Sequence, residues 1–205
     1  MAAPGSPAVP VVLASASVAR RRMLHQAGLT LVADPADIDE ESLKVEAARQ
    51  GKTPVAIALA LAEAKAVAVS LRHPDALVIG ADQVLVCGGR LLSKAADRQQ
   101  AAATLERLRG RSHRLVSAVA LVRDGRISWR HVDTARLRMR AFSKSFLQSY
   151  LAAEGKAVIQ TVGAYALEGR GAQLFDRVDG DHFTVLGLPL LPLLAQLRRE
   201  GVIAT

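Results

Sequence analysis

Short apolar runs alternate with longer amphipathic or apolar segments along the chain, and this alternation predicts a mixed α/β fold. The short runs predict strands over residues 9–14, 29–33, 76–86, 115–122, 126–140 and 173–178. The longer segments predict helices over residues 18–27, 54–72, 97–109, 143–154 and 189–199. A turn at Asp124 and Gly125 joins two of these strands as a hairpin, so the sheet cannot be wholly parallel.

No repeat or linker-like stretch interrupts the 205 residues, so we expect one domain over residues 11–205. Residues 1–10 are small and proline-rich, which predicts a flexible tail. The single cysteine, Cys87, excludes an internal disulfide, and without a secretory signal pattern it favours a cytoplasmic protein. The longest apolar run, residues 54–71, contains Glu63 and Lys65, so we expect no membrane segment.

The most informative local pattern is LASASVARRRML at residues 13–24, where a strand passes through two serines into three arginines at a helix start. A helix N-terminus presents free N–H groups and the positive end of the helix dipole, so cations there are unfavourable unless an anion binds among them. The pattern therefore predicts a phosphate site, with Ser15 and Ser17 as hydroxyl and backbone donors.

Two charged residues lie in apolar surroundings. Lys65 belongs to AIALALAEAKAVAVSL, a helix apolar nearly all round, where a buried ammonium group needs an anionic partner. The alternatives are a surface lysine that extends into solvent from a half-buried helix, or a lysine that pairs with Glu63 or Glu46. Asp82 follows VIGA on a strand, where a carboxylate either faces a ligand crevice or caps a turn.

Two further residues are weaker candidates. Lys94 lies between a Gly-Gly turn and a helix, where it either reaches a phosphate or covers the helix start. Glu40 belongs to the acidic stretch ADPADIDEE, in which most side chains must be solvated and one or two could hold a divalent cation. The histidines lack zinc-ligand spacing, and neither a P-loop nor a dinucleotide-binding fingerprint is present.

The formal charge of +8 fits either a polyanionic partner or a basic solvated surface. Arg136, Arg138 and Arg140 alternate along a predicted strand, which keeps a nucleic-acid-binding module as an alternative. The seven aromatic residues are scattered without the surface pattern that single-strand stacking needs. We therefore expect no stable nucleic acid partner. The leucine-rich segment near residues 190–197 predicts a surface helix through which two copies could form a homodimer.

Six segments, in this order, resemble those of the Maf nucleotide pyrophosphatases: LASASVARR, DIDEE, LAEAKA, IGADQVLV, GAYALEGRGAQLF and VLGLPLL. The resemblance covers residues 11–199. It implies a cytoplasmic hydrolase that converts a nucleoside triphosphate to the monophosphate and pyrophosphate with a divalent cation, Mg²⁺ or Mn²⁺. It also implies an elongated α/β domain of two lobes around a central cleft, with a mixed sheet similar to that of the inosine triphosphatases.

The resemblance further implies the roles of individual side chains. The triphosphate would be bound by Ser17, Arg20, Lys65 and Lys94. Asp82 would be the general base, and Glu40 would join Asp82 at the metal.

The family divides by base preference at two positions, occupied here by Gln83 and Glu168. This combination resembles the 7-methyl-GTP pyrophosphatase branch, whereas the branch selective for dTTP and UTP carries Thr and Gln. A carboxylate can accept both N–H donors of a guanine edge, although Glu168 could equally pair with Arg170 on an exposed loop. Ala19 stands where the branch's example has an aromatic that could stack on a methylated base, and it cannot supply that contact. We expect the protein to act on modified nucleotides such as 7-methyl-GTP, and the alternative is a dTTP- and UTP-selective or broad specificity.

Two other positions depart from the family pattern. The usual Gly-Lys-Pro is Ser93, Lys94 and Ala95, and an expected Asn is Thr184. We expect phosphate binding to survive both changes.

Overall fold

The computed structural model describes residues 9–204. Its strands are β1 Val11–Leu13, β2 Val32–Ala33, β3 Leu77–Cys87, β4 Arg90–Leu92, β5 Ser112–Arg123, β6 Arg126–Met139 and β7 Phe175–Asp179. Its α-helices are α1 Val18–Gln26, α2 Glu40–Arg49, α3 Pro54–Ser70, α4 Arg98–Leu108, α5 Lys144–Glu154, α6 His182–Val185 and α7 Leu190–Arg199. Two 3₁₀ turns cover Gly155–Ile159 and Arg170–Leu174.

All seven strands form one mixed sheet, which confirms the predicted α/β class. The main path has the order β2-β1-β3-β5-β6-β7, and β4 pairs with β3 off this path. The β1 strand is parallel to both β2 and β3. The β3–β5, β5–β6 and β6–β7 pairs are antiparallel, as is the pair of β3 with β4. The hairpin predicted at Asp124 and Gly125 joins β5 to β6.

The predicted helix starts follow from side-chain caps. Ser17, Thr53, Asp97 and Ser143 each accept a hydrogen bond from the backbone N–H three residues later. Such caps satisfy one of the free N–H groups at each helix start. Local sequence therefore fixes where α1, α3, α4 and α5 begin.

Three sequence predictions differ from the structure. Helix α2 was not predicted, because the acidic run was read as solvated loop; Asp39 caps the helix by accepting from Ser42 N–H at 2.9 Å, and Glu40 is its first residue. Strand β2 spans two residues instead of five. Strand β6 ends at Met139, one residue before the predicted end, and the guanidinium of Arg140 lies over the ring of Phe146.

The sheet has an apolar cluster at each end of one face, and polar side chains separate the two clusters. Towards β1, one cluster includes α1, α7, Ile79 and Leu121, whereas the other packs α4 and α5 against Leu85 and Leu115. Gln83 and Ser117, which are paired across β3 and β5, lie between them in register. The two clusters form the two lobes that the resemblance implies, and a polar strip lies at their boundary.

Helix α3 covers the opposite face of the sheet at unusually short distance. A Cβ at Gly80 would lie 2.1 Å from the carbonyl oxygen of Ala62 and 2.7 Å from the Cβ of Ala66. Only glycine on β3 and alanine on α3 permit this approach. As a result Lys65 is held against the centre of β3.

Helix α7 is amphipathic and packs one side on the core, so only part of its leucine-rich surface is free to contact a second copy, and the homodimer stays a prediction. Leu190, Leu193 and Leu197 are buried in the molecule's own core, and Leu191 is the exposed leucine of this segment. Most of the predicted tail, residues 1–8, lies outside the described residues. Pro10 is described, and its carbonyl accepts a hydrogen bond from Leu77 N–H at 2.9 Å.

Candidate active site

The candidate site lies where one edge of β3 is left open between two short strands. On this edge β1 pairs with residues 77–79 and β4 with residues 85–87, while β5 occupies the opposite edge. Among residues 9–204, no strand pairs with residues 80–84 on the open edge. Asp82 and Gln83 lie at the middle of this gap. Because successive strand side chains point to opposite faces, Asp82 faces α3 and Gln83 faces the boundary between the two lobes.

Arg20, predicted to bind phosphate, is buried in the gap next to α1. Its Nη1 donates to the free carbonyl of Ala81 at 2.8 Å and to Ser15 Oγ at 3.1 Å, and its Nε donates to the carbonyl of Gly187 at 2.8 Å. Gly187 has a φ of 101°, which suits glycine. Burial lowers the pKa of Arg20, and the charges of Asp82 and Glu40 act in the opposite direction. The guanidinium therefore supplies a hydrogen-bond donor to one carbonyl of the open strand edge. All three of its acceptors are neutral, so none of them cancels its positive charge.

Lys65 meets two of the predicted site carboxylates. Its Nζ lies 2.7 Å from Asp82 Oδ1 and 2.8 Å from Glu40 Oε2. Only 7% of the Lys65 side chain is exposed, compared with 48% for Glu40. The anionic partner that the sequence demanded is thus this pair of carboxylates, and the alternative pairing with Glu63 or Glu46 is wrong.

Lys94 lies at the mouth of the same site and remains exposed. Partial desolvation lowers the pKa of its ammonium group, the charges of Arg20 and Lys65 lower it further, and Glu40 and Asp82 oppose the change. Its neighbour Ser93 donates from Oγ to Glu41 Oε1 at 3.0 Å. This contact connects the segment that carries Lys94 with the helix that carries Glu40.

Ser17 has a structural role at the start of α1. Its Oγ accepts from Arg20 N–H at 3.3 Å, and its own N–H donates to Ser15 Oγ at 3.2 Å. The hydroxyl groups of Ser15 and Ser17 therefore fix the loop before α1, and Arg20 is the buried charged residue that follows it.

All three residues predicted to select the base line one cavity at the lobe boundary. It is formed by Ala19, Gln83, Leu115, Thr161, Val162, Tyr165, Ala166, Leu167, Glu168, Val185 and Leu186. The wall is mostly apolar, as expected for a site that receives a flat base. Ala19 leaves its side of the cavity without an aromatic ring.

The orientation of the Gln83 amide is fixed by its partners. The two N–H groups of its Nε2 lie within hydrogen-bond distance of three acceptors, Ser117 Oγ at 2.9 Å and the carbonyls of Thr184 and Val185 at 3.0 and 3.1 Å, so one N–H is shared between two of them. Ser117 Oγ itself donates to the Thr184 carbonyl at 2.8 Å, so it accepts from Gln83. Because carbonyls only accept, the amide nitrogen must face them, and the amide oxygen is the group that Gln83 has left to offer a ligand.

Glu168 pairs with a residue other than the predicted Arg170. Its Oε1 lies 2.9 Å from Arg22 Nη2, and 32% of its side chain is exposed. Arg170 lies near Glu154 instead, at 3.8 Å. The alternative pairing with Arg170 is thus wrong, and the third arginine of the α1 run pairs with the residue predicted to select the base.

Comparison with known proteins identifies the chain. The sequence pattern of the Maf-like protein family matches residues 10–200. The chain belongs to the Maf family.

Relatives of this Maf protein carry two different names. It is 55% identical over 190 residues to a nucleoside triphosphate pyrophosphatase of Paramagnetospirillum magneticum, covering 93% of this chain and 98% of that one. It is 53% identical over 195 residues to one of Bradyrhizobium diazoefficiens, covering 95% and 96%. It is also 49% identical over 193 residues to a 7-methyl-GTP pyrophosphatase of Mesorhizobium japonicum, covering 94% and 97%.

The carboxylates of this Maf protein fit a divalent cation only as part of a larger ligand set. Asp82 and Glu40 converge on one point, and carboxylate oxygens are the ligands that Mg²⁺ prefers. Among residues 9–204 no group of three or more His, Cys, Asp or Glu side chains could hold a metal ion. The remaining ligands of a cation here would have to be phosphate oxygens and water.

Sequence reasoning missed several residues that build the Maf site. Ser117 and the carbonyls of Thr184 and Val185 orient Gln83, and Tyr165 lines the cavity while its hydroxyl lies 2.7 Å from His113 Nε2. Ser117 belongs to a strand, and only its register opposite Gln83 marks it as part of the site. That register cannot be derived from the sequence.

The described residues include no helix long and apolar enough to cross a membrane.

Proposed function

We propose that this protein hydrolyses the α–β phosphoanhydride bond of modified nucleoside triphosphates such as 7-methyl-GTP, with Mg²⁺ or Mn²⁺, in the cytoplasm. Membership in the Maf family and relatives named nucleoside triphosphate pyrophosphatase support the coarser activity. The observation that carries the proposal is the convergence of Arg20, Lys65 and Lys94 with Asp82 and Glu40 at one open strand edge. Three cations and two carboxylates suit a triphosphate bound together with a metal ion.

The proposed reaction is an in-line attack of water on the α-phosphorus. The bond between the α-phosphorus and the bridging oxygen breaks, and pyrophosphate leaves with that oxygen. Asp82 accepts the proton of the attacking water, after its carboxylate has been released from Lys65. Lys65 and Lys94 stabilise the negative charge that develops on the leaving pyrophosphate, and Arg20 contributes a fixed positive charge from its buried position.

A divalent cation held by Asp82 and Glu40 would neutralise phosphate charge and acidify a bound water. The protein's own contribution is to fix these carboxylates next to the lysines. Close packing of α3 on Gly80 sets the position of Lys65, and the Ser93–Glu41 contact helps to set that of Glu40.

The preference for a guanine-type base is supported by the acceptors in the cavity. The donors of the Gln83 amide are used on protein groups, so its oxygen remains to accept from the base. Glu168 lines the same cavity and offers a second acceptor. Guanine presents donors at N1 and N2, whereas uracil and thymine present a single ring N–H between carbonyl acceptors. A negative carboxylate also favours the positively charged 7-methylated base over the uncharged guanine base of GTP.

The decisive experiment is a substrate panel. Pyrophosphate release is measured from 7-methyl-GTP, GTP, dTTP, UTP and CTP with Mg²⁺, with Mn²⁺ and with EDTA. We expect cation-dependent release with the highest kcat/KM for 7-methyl-GTP. Preference for dTTP or UTP would refute the base assignment and retain the reaction, and full activity in EDTA would refute the cation requirement.

Asp82→Asn tests the proposed base. The amide keeps the size of the side chain and can remain hydrogen-bonded to Lys65, but it cannot take the proton of the attacking water. We expect kcat for 7-methyl-GTP to fall by about 10²-fold or more, in line with the usual contribution of a general base. The far-UV circular dichroism spectrum should be unchanged. A folded variant with wild-type kcat would exclude Asp82 as the base.

A further inference from the structure

Lys65 stands between two carboxylates that are also candidate ligands of the metal. Its Nζ contacts Asp82 at 2.7 Å and Glu40 at 2.8 Å, and its side chain is almost fully buried. Asp82 is buried with Lys65, so water and salt screen that ion pair weakly, whereas Glu40 is half exposed and its contact with Lys65 is more easily broken. In the free protein the ammonium group of Lys65 is therefore already the counter-ion of both carboxylates.

The other positive charges of the site do not make the same contact. Arg20 donates to one hydroxyl and two backbone carbonyls. Within residues 9–204, Lys65 makes the only ion pairs recorded for Asp82 and Glu40, and none is recorded for Lys94. Lys65 is thus the direct counter-ion of both carboxylates, whereas Arg20 and Lys94 act on them at longer range.

The charge balance disfavours a metal ion in the free protein. Arg20, Lys65 and Lys94 supply three positive charges, against two negative charges from Asp82 and Glu40. A divalent ion entering alone must separate Lys65 from its partners and adds charge to a region that is already positive. A triphosphate reverses this balance, because it supplies several negative charges and gives the ammonium group of Lys65 a new partner.

We propose that Lys65 is a built-in competitor of the catalytic metal, holding Asp82 and Glu40 until a triphosphate draws its ammonium group away. This inference rests on the proposed function, since it concerns the cation of that reaction. It predicts weak metal binding by the free protein and stronger binding with nucleotide. By linkage, the metal strengthens nucleotide binding by the same factor.

The test measures Mn²⁺ binding without nucleotide, by the loss of the free Mn²⁺ electron paramagnetic resonance signal. Lys65→Gln removes the charge but keeps a group that can donate a hydrogen bond to Asp82. We expect this variant to bind Mn²⁺ at least about tenfold more tightly than the wild type. Lys94→Gln is the matched control: it removes the same charge from the same site without touching either carboxylate, and its affinity should rise by less than about threefold.

Two further measurements keep the test decisive. Combining Lys65→Gln with Asp82→Asn should abolish the gain, which would locate the ion at these carboxylates. Should Lys65→Gln fail to fold, Lys65→Met is measured after refolding with Mn²⁺, and its unfolding temperature should rise with Mn²⁺ more than that of the wild type. Equal Mn²⁺ affinity of wild type and Lys65→Gln, or an equal gain in Lys94→Gln, would overturn the inference. The proposed function would be unaffected, because hydrolysis is measured separately with the substrate panel.

Discussion

Acid should weaken the fold through a single buried histidine, His113, whose partner Tyr165 lines the cavity next to Gln83. His113 on β5 is 2% exposed, its Nε2 lies 2.7 Å from the Tyr165 hydroxyl, and its buried Nδ1 has no hydrogen-bond partner among residues 9–204. Burial lowers the pKa of His113 from 6.5 to about 4. The neutral imidazole is the form that the folded protein accepts.

The direction of the pH effect follows from this difference. In the unfolded chain the imidazole takes up a proton as the pH falls through 6.5, whereas in the folded protein it stays neutral down to about pH 4. The unfolded state binds more protons between these values, so the free energy of unfolding decreases as the pH is lowered through this window. Linkage gives a loss of about 2 kcal/mol between pH 7.5 and pH 5.

Urea unfolding at pH 7.5, 6.5, 5.5 and 5 measures this loss. His113→Gln keeps a polar side chain that does not titrate, so the difference between its unfolding free energy and that of the wild type isolates the contribution of His113. We expect that difference to change by about 2 kcal/mol over the range, with the wild type losing more stability towards pH 5. His25→Gln is the control, because it removes an exposed histidine and leaves the burial of His113 unchanged. Parallel pH profiles of wild type and His113→Gln would refute the reasoning.

Three other predictions concern the site. Gly80→Ala should lower the free energy of unfolding by about 2 kcal/mol or more in urea, because its Cβ would overlap the Ala62 carbonyl; wild-type stability would contradict the close packing of α3. Glu168→Gln should shift the ratio of kcat/KM values from guanine towards pyrimidine triphosphates, and an unchanged ranking would exclude this carboxylate from base selection. Arg22→Gln should raise kcat/KM for 7-methyl-GTP relative to GTP by releasing Glu168 from its ion pair; a lower ratio would count against that competition.

The sequence alone determined much of the local structure of this protein. Ser17, Thr53, Asp97 and Ser143 marked four helix starts, because a cap acts on backbone groups three residues away. The acidic run was misread for a related reason: Asp39 is also such a cap, but its neighbours carry charges that are equally typical of a solvated loop. Motif resemblance supplied the family, which the comparisons confirm.

Tertiary structure decided which of these residues meet. The sequence predicted that Lys65 needs an anion if it is buried, but its partners Asp82 and Glu40 lie 17 and 25 positions away. The packing of α3 on Gly80 brings Lys65 to Asp82, and the placement of α2 brings Glu40 to the same ammonium group. Likewise, the register of β3 with β5 turns Gln83 into an acceptor by placing Ser117 beside its amide. Local patterns fix backbone conformation over a few residues, whereas the partner of a buried charge depends on how distant elements pack. For that reason the sequence predicted which charged residues form the candidate site, and only the fold showed which of them pair with one another.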